Sequence, residues 1–478
     1  MKHYKKITGQ LALMYSATLM RMLFSFFLFV VLARTFTKGE YGIISLFLVT
    51  IALMNKYLTL GLPEYIVKDF APLSEKTRVK RMGAVFTFGV IFSAVVGGIG
   101  LLILRPALTF FNLASYGSAA LFTLLLGVML PLHVILTAYF TSKQKIGIAE
   151  TFSTLTAGWM LLVIGLALYA KLTVNVLFAA RFWFEFVIFI LLMWVMFKDH
   201  IRFVFDKELL KSALMFSLPL LPLYASEYFI TAGDRYLLGW FSGSIAVGSY
   251  TYFYSLLSFI ITMSIIPTNM LFTYAAKAYK KNKDKSNFYF NAAAKYSLLL
   301  ALPALTGLYV LREPIVTLIS GPKYVNDLYI LGWLIAFPLL ELVSALYRRI
   351  CILRDKTFYL GRTYVAAGVL NLVLNIVLIP YLGVIGAAIA TLVTYALLAV
   401  LLFWEAGSYV PWNNEYIQIH KLLFATICMG LLVGFVHPEV IWSKIFTIGF
   451  GILSYFGILF AIGGFVKEER DLVLSFVR

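Results

Sequence analysis

Charged residues stranded in apolar sequence are where this chain could do chemistry. Arg21 lies 13 residues from each end of an apolar run at 8–34. A side chain that deep cannot easily snorkel to water, and ionisable residues at such depth are functional suspects. Its guanidinium offers a planar fork of donors that suits a pyrophosphate. The competing reading is a structural ion pair between helices. Glu227 stands near the centre of a second run, 212–241, with Asp234 seven residues on and so on nearly the same face of an α-helix. That acidic face could bind a coupling proton or sodium ion, or pair with Arg21 in one conformation; a simple salt bridge is the plainer alternative. Lys56 and Arg235 lie within about seven residues of a run end, where they could line a cavity or reach the interface. The candidate substrate-binding residues are therefore Arg21, Lys56 and Arg235, and the candidate ion-coupling or gating residues are Glu227 and Asp234.

Other polar residues have simpler roles. Arg181 has Glu185 one turn on to neutralise it, and Lys295 is close enough to a run end to snorkel. Glu341 is moderately deep. His133 is of a type that titrates near neutral pH, but interhelical hydrogen bonding is the plainer expectation. Asn371 and Asn375, one turn apart, suit a bond to a neighbouring helix, with sugar hydroxyls as the other option. Pro219, Pro222, Pro303 and Pro338 interrupt three runs and allow bending. No catalytic residue, metal set or cofactor is read here: Cys351 and Cys428 look like apolar packing residues, and neither a GxxxxGK[ST] loop nor HExxH occurs.

The elements that position these residues follow from composition. Of 478 residues, 62% are hydrophobic and 13% charged, against the near-quarter charged fraction of soluble domains. The apolar residues come in blocks of about 20, enough for a helix to cross a 30 Å hydrocarbon core. A transmembrane barrel would alternate apolar and polar residues instead. About fourteen spans are expected: 8–34, 39–62, 81–105, 117–141, 149–170, 174–197, 212–241, 245–272, 289–312, 326–350, 363–380, 384–405, 419–436 and 442–466. The chain reads as an all-α, polytopic integral membrane protein. The first run is too long for a signal-peptide core and reads as a retained span.

With the N-terminus inside, inner loops hold about 28 of the 40 Lys and Arg and outer loops about 7. The inner clusters are Lys76, Arg78, Lys80 and Arg81; Lys198, Arg202, Lys207 and Lys211; Lys277, Lys280, Lys281, Lys283 and Lys285; and Arg348, Arg349, Arg354, Lys356 and Arg362. This bias puts both termini in the cytoplasm. It also explains the net charge of +18 through anionic inner-leaflet lipids, with no nucleic acid required. No outer loop exceeds about fifteen residues, so function sits within the helix bundle.

LARTFTKGEYG (32–42) and LGWFSGSIAVGSY (238–250) are weakly similar at an offset of 206, which places Gly42 on Gly248 and Arg21 on Glu227. Six spans per copy make the copies parallel. The division is then 1–205, 206–405, and 406–478 for two further helices and a short cytoplasmic tail.

Those two segments, with LGLPEYIVKDFA (60–71), DRYLLG (234–239) and YLGVIGAAIATLVTY (381–395), are similar to segments of the polysaccharide flippases. These belong to the superfamily of multidrug, oligosaccharidyl-lipid and polysaccharide exporters. The resemblance covers nearly the whole chain. It implies two six-helix lobes in a V shape with two peripheral helices, a cationic cavity that includes an arginine of the first span, and alternating access driven by an ion gradient or the membrane potential. It further implies polyprenyl-pyrophosphate-linked oligosaccharide as substrate, the cell membrane as location, and glycan polymerases or glycosyltransferases as partners. Two rival readings remain. A drug or cation extruder of the same superfamily would want an acidic cavity, which five intramembrane cations oppose. A membrane glycan polymerase would want larger outer loops.

Overall fold

The computed structural model describes residues 2–110, 113–169, 171–279, 281–436 and 440–466, and for 2–17, 110 and 146 the backbone alone. Lys280 and the tail from Lys467 lie outside the described residues, as do the side chains of Lys2, Lys5 and Lys6.

The described residues form helices joined by short turns, without a strand. This is how a chain satisfies backbone polar groups inside hydrocarbon. They divide into two compact units, Met1–Tyr228 and Phe229–Arg478. The first contains α1 (Lys2–Thr35), α2 (Lys38–Leu58), α3 (Leu62–Phe70), α4 (Glu75–Phe110), α5 (Gly117–Ser142), α6 (Ile146–Ala157), α7 (Trp159–Tyr169), α8 (Val174–Phe197), α9 (Lys207–Ser217) and α10 (Leu221–Tyr228). The most buried of these, α5, packs against α2, α3, α4 and α8, while α1 packs on α6 and α7. The second contains α11 (Asp234–Tyr279), α12 (Lys283–Val310), α13 (Arg312–Ser320), α14 (Leu328–Leu334), α15 (Phe337–Leu353), α16 (Thr357–Leu382), α17 (Val384–Ala406), α18 (Asn414–Ile417), α19 (Ile419–Gly434) and α20 (Ile441–Ala461). Here α11 packs on α12, α15, α16 and α17, and the pair α19–α20 packs chiefly on α12.

Local chemistry sets the helix starts. Thr37 caps α2 in a reciprocal box with Glu40, and Thr173, Asp206 and Asn282 accept bonds from the first turns of α8, α9 and α12. Pro219 lies within a 3₁₀ turn between α9 and α10, and Pro222 in the first turn of α10. Pro303 lies inside the continuous α12, so it does not interrupt that span as the sequence suggested. Gly383, at φ 55°, turns the hairpin between α16 and α17.

Large apolar side chains such as Leu102, Phe435 and Phe446 stand fully outward along these helices. In water that surface would drive aggregation; beside lipid tails it carries no such penalty. The protein is a multi-pass membrane protein. Among the described residues, length and composition give 12 crossing helices, or up to 13 if the bent pair Arg312–Leu334 and Phe337–Leu353 is one span. The expected fourteen is reached only if the run Lys207–Tyr279, about 110 Å long as one helix, is divided. Its backbone leaves helical geometry at Gly243 (φ 80°, ψ 174°). Gly243 lies 206 residues after Thr37, the extended residue (φ −65°, ψ 163°) between α1 and α2. The helix breaks therefore fall at equivalent places of the weak sequence repeat.

Candidate functional site

The charges are distributed over three sites, two in the first unit and one in the second. On α1, the Nη1 of Arg21 donates to the Glu150 carboxylate at 3.0 Å and to the Thr154 hydroxyl at 3.3 Å, both on α6. Its Nη2 donates to Thr18 at 3.2 Å. The structure thus gives Arg21 an interhelical ion pair, the competing reading, although 28% of the side chain stays accessible. It also corrects the depth argument. Glu150 lies one turn into the apolar stretch Gly147–Tyr169, so the pair sits only about 5 Å from the end of that span. The 8–34 run suggested otherwise because α1 extends well beyond a bilayer's thickness.

The second site joins α2 to α10. Lys56 Nζ lies 3.8 Å from the Glu227 carboxylate and 3.9 Å from the centre of the Tyr224 ring. Tyr228 donates to the carbonyl of Val49 at 3.0 Å and fixes α10 there. Lys56 and Glu227 are 43% and 40% exposed, loose enough to exchange partners. Arg21 and Glu227, matched by the repeat, take different partners.

The third site lies inside the second unit. A π-helical turn, Phe229–Gly233, precedes Asp234. Its larger number of residues per turn breaks the α register on which the shared acidic face rested. Glu227 pairs in the first unit, while Asp234 is closed off in the second. Arg235 donates to the carbonyl of Thr231 at 2.8 Å and to Asp234 Oδ1 at 3.3 Å. Its guanidinium faces Tyr254 at 4.6 Å and Tyr250 at 5.9 Å. Tyr250 donates to Asp234 Oδ2 at 2.5 Å, and its hydroxyl meets that of Thr391 on α17 at 2.9 Å. Asp234 and Arg235 are both buried, so Arg235 does not reach an interface. One turn further along α17, Thr394 accepts from Asn371, whose side-chain oxygen accepts from Asn375. Asn371 thus makes the expected interhelical bond, whereas Asn375 bonds only within its own helix.

Arg181 binds Glu185 at 2.7 Å, as expected. Lys295 does not snorkel: it is 0% exposed, with its ammonium 4.9 Å from the Tyr416 ring. His133 is buried, and its Nε2 has no hydrogen-bond partner among the described residues, against the expected interhelical bond. Glu341 faces Arg348 at 3.9 Å. Among the described residues no group of three or more His, Cys, Asp or Glu could hold a metal ion. The sequence reading missed Glu150, Tyr250, Tyr254 and Thr391. A lone acid opening one span opposite a lone arginine was a usable signal for Glu150. Tyrosines and threonines are too common in membrane helices to have flagged the others.

Outside the membrane spans, Lys143 joins the ends of three helices. It binds Asp199 at 2.7 Å and Glu75 at 2.5 Å. Burial pulls its pKa down, but the hydrogen bonds it donates to the two carboxylates, with the nearby negative charge, outweigh that and raise it.

Residues 31–327, more than half of the chain, match the polysaccharide biosynthesis protein family. The chain belongs to that family. It is 27% identical over 233 residues to the probable low-salt glycan biosynthesis flippase Agl15 of Haloferax volcanii. That alignment covers 48% of this chain, and the chain spans about half the length of that curated relative. The fold of this chain is similar to that of a structure of the lipid II flippase MurJ, itself in an inward closed conformation, with a TM-score of 0.66 at 16% identity, over 97% of this chain and 100% of that one. An inward-facing multidrug resistance MATE transporter of the MOP superfamily gives a TM-score of 0.64 at 14% identity, over 83% of this chain and 97% of that one. These relatives are flippases and transporters, not enzymes.

Proposed function

We propose that the protein is a flippase, a secondary transporter that moves polyprenyl-pyrophosphate-linked oligosaccharide repeat units from the cytoplasmic to the outer leaflet of the cell membrane. The observation that carries this reading is the match of residues 31–327 to the polysaccharide biosynthesis family, in a chain built almost wholly of membrane helices. Both termini are cytoplasmic in this reading, supported by the lysine and arginine bias of the loops. Arg21 and Lys56 are the cations offered to the pyrophosphate. Each is held by one carboxylate and remains partly accessible, so a phosphate can compete for it. Asp234, sealed against Arg235 and Tyr250, is the group for ion coupling or gating. Its protonation would remove the counter-charge of Arg235 and free that cation for substrate. Glycan polymerases or glycosyltransferases would consume the delivered units.

The test is depletion of the protein in its host, followed by leaflet-selective labelling of lipid-linked oligosaccharides. Accumulation on the cytoplasmic leaflet, reversed by wild type but not by Arg21→Ala, is the expected result. Unchanged lipid-linked glycans with altered sensitivity to cationic drugs would replace this reading with the extruder.

A further inference from the structure

Among the described residues, two lysines of α9 make no salt bridge. Lys207 and Lys211 are one turn apart on the same helix face, where like charges repel. Among the described residues neither makes a salt bridge: Asp206 is occupied in capping the helix through the amide of Leu209, and Glu208, beside Lys207 and one turn before Lys211, is paired with neither. Both lysines open onto a groove of about 690 Å³ between α4 and α9. Its walls are apolar, including Phe88, Ile91, Leu214 and Met215. Ile91, Phe205 and Met215 are strongly exposed there, on the flank of a membrane-crossing helix. An apolar trough bordered by the stems of two lysines is complementary to an acyl chain joined to a phosphate. The volume is of the size that holds small ligands.

We infer that the α4–α9 groove is a binding site for one anionic phospholipid of the bilayer, its phosphate on Lys207 and Lys211 and one acyl chain along Ile91 and Met215. The site is separate from the charge sites proposed for transport and does not depend on the transported substrate. Only its placement in the inner leaflet rests on the orientation proposed above.

The test uses the full-length protein in symmetric nanodiscs, where orientation is immaterial, with native mass spectrometry counting bound lipids. Phosphatidylglycerol is expected to be retained over phosphatidylcholine. Lys207→Gln with Lys211→Gln should weaken that retention roughly 30-fold, about fivefold per lysine at a charged surface. Met215→Trp keeps both charges but fills the trough, and should weaken both lipids. The pair Lys283→Gln with Lys285→Gln, equally basic but on α12, should leave retention unchanged. Equal loss in the two lysine pairs would reduce the effect to non-specific charge and overturn the site. Displacement of phosphatidylglycerol by equimolar polyprenyl phosphate would overturn the assignment to a bilayer phospholipid.

Discussion

Asp234 and Arg235 are adjacent in sequence, so neither can leave the other behind when the helix buries them. A buried pair of this kind is costly to break from one side, because the remaining charge has no solvent. Asp234→Asn should lower stability by about 3–5 kcal/mol, read as thermal unfolding in detergent, with partial recovery when Arg235→Gln is added. An unchanged melting temperature for the single variant would show that the pair is not closed off. The Arg21–Glu150 pair separates structure from transport by a different route. If Arg21 serves the pyrophosphate, Arg21→Ala with Glu150→Ala should recover stability but leave lipid-linked oligosaccharide on the cytoplasmic leaflet. Recovery of both would assign the pair to packing alone. At this scale the sequence exposed the charges but not their partners. Arg181 and Glu185 were legible because one helix carries both at a fixed spacing. Arg21 and Glu150 were not, since pairing 129 residues apart depends on packing.

Helix ends are where single glycines matter. Gly243 has a backbone conformation essentially restricted to glycine, so Gly243→Ala should cost about 1–3 kcal/mol although nothing crowds it. Gly83 presents the opposite case. A Cβ there would meet the carbonyl oxygen of Arg202 at 2.2 Å, and backbone cannot swing aside, so Gly83→Ala should cost about 1–3 kcal/mol through strain. Gly98, with open space around it, is the control that should melt like wild type. At the ends of α4, α5 and α8, the raised pKa of Lys143 has a defined sign. Its contribution is complete below the ordinary lysine pKa and is lost only as alkaline pH passes the folded value. Lys143→Met should therefore destabilise the protein at neutral pH, and the difference from wild type should shrink toward high pH. The helices were legible because apolar blocks of bilayer length are a strong signal. The π-turn at Phe229–Gly233 was not, because FITAG differs in no obvious way from α-helical sequence, and so the shared acidic face was an error of register.

For the molecule as a whole, the charge bias predicts an orientation that cysteine labelling can check. In a background without Cys351 and Cys428, Ser242→Cys should react with a membrane-impermeant thiol reagent in intact cells, and Lys283→Cys only after permeabilisation. The reverse pattern would invert the topology and with it the proposed direction of transport. Fold class was readable from composition alone, since no soluble chain hides a 62% hydrophobic content. The substrate was not, because the resemblance rests on ordered segments with little invariant chemistry.

Thr37 and Gly243 solve the same corner by different means, one with a side chain and one by having none. Their mutational tolerance should diverge accordingly. Position 37 can drift among Ser, Asp and Asn, each able to cap, at a cost of tenths of a kcal/mol to about 1 kcal/mol. Position 243 has no such neighbours in sequence space. The first half of the chain is therefore the more freely evolving copy at its corner, and a library of natural or random variants should show that asymmetry before any transport assay is run.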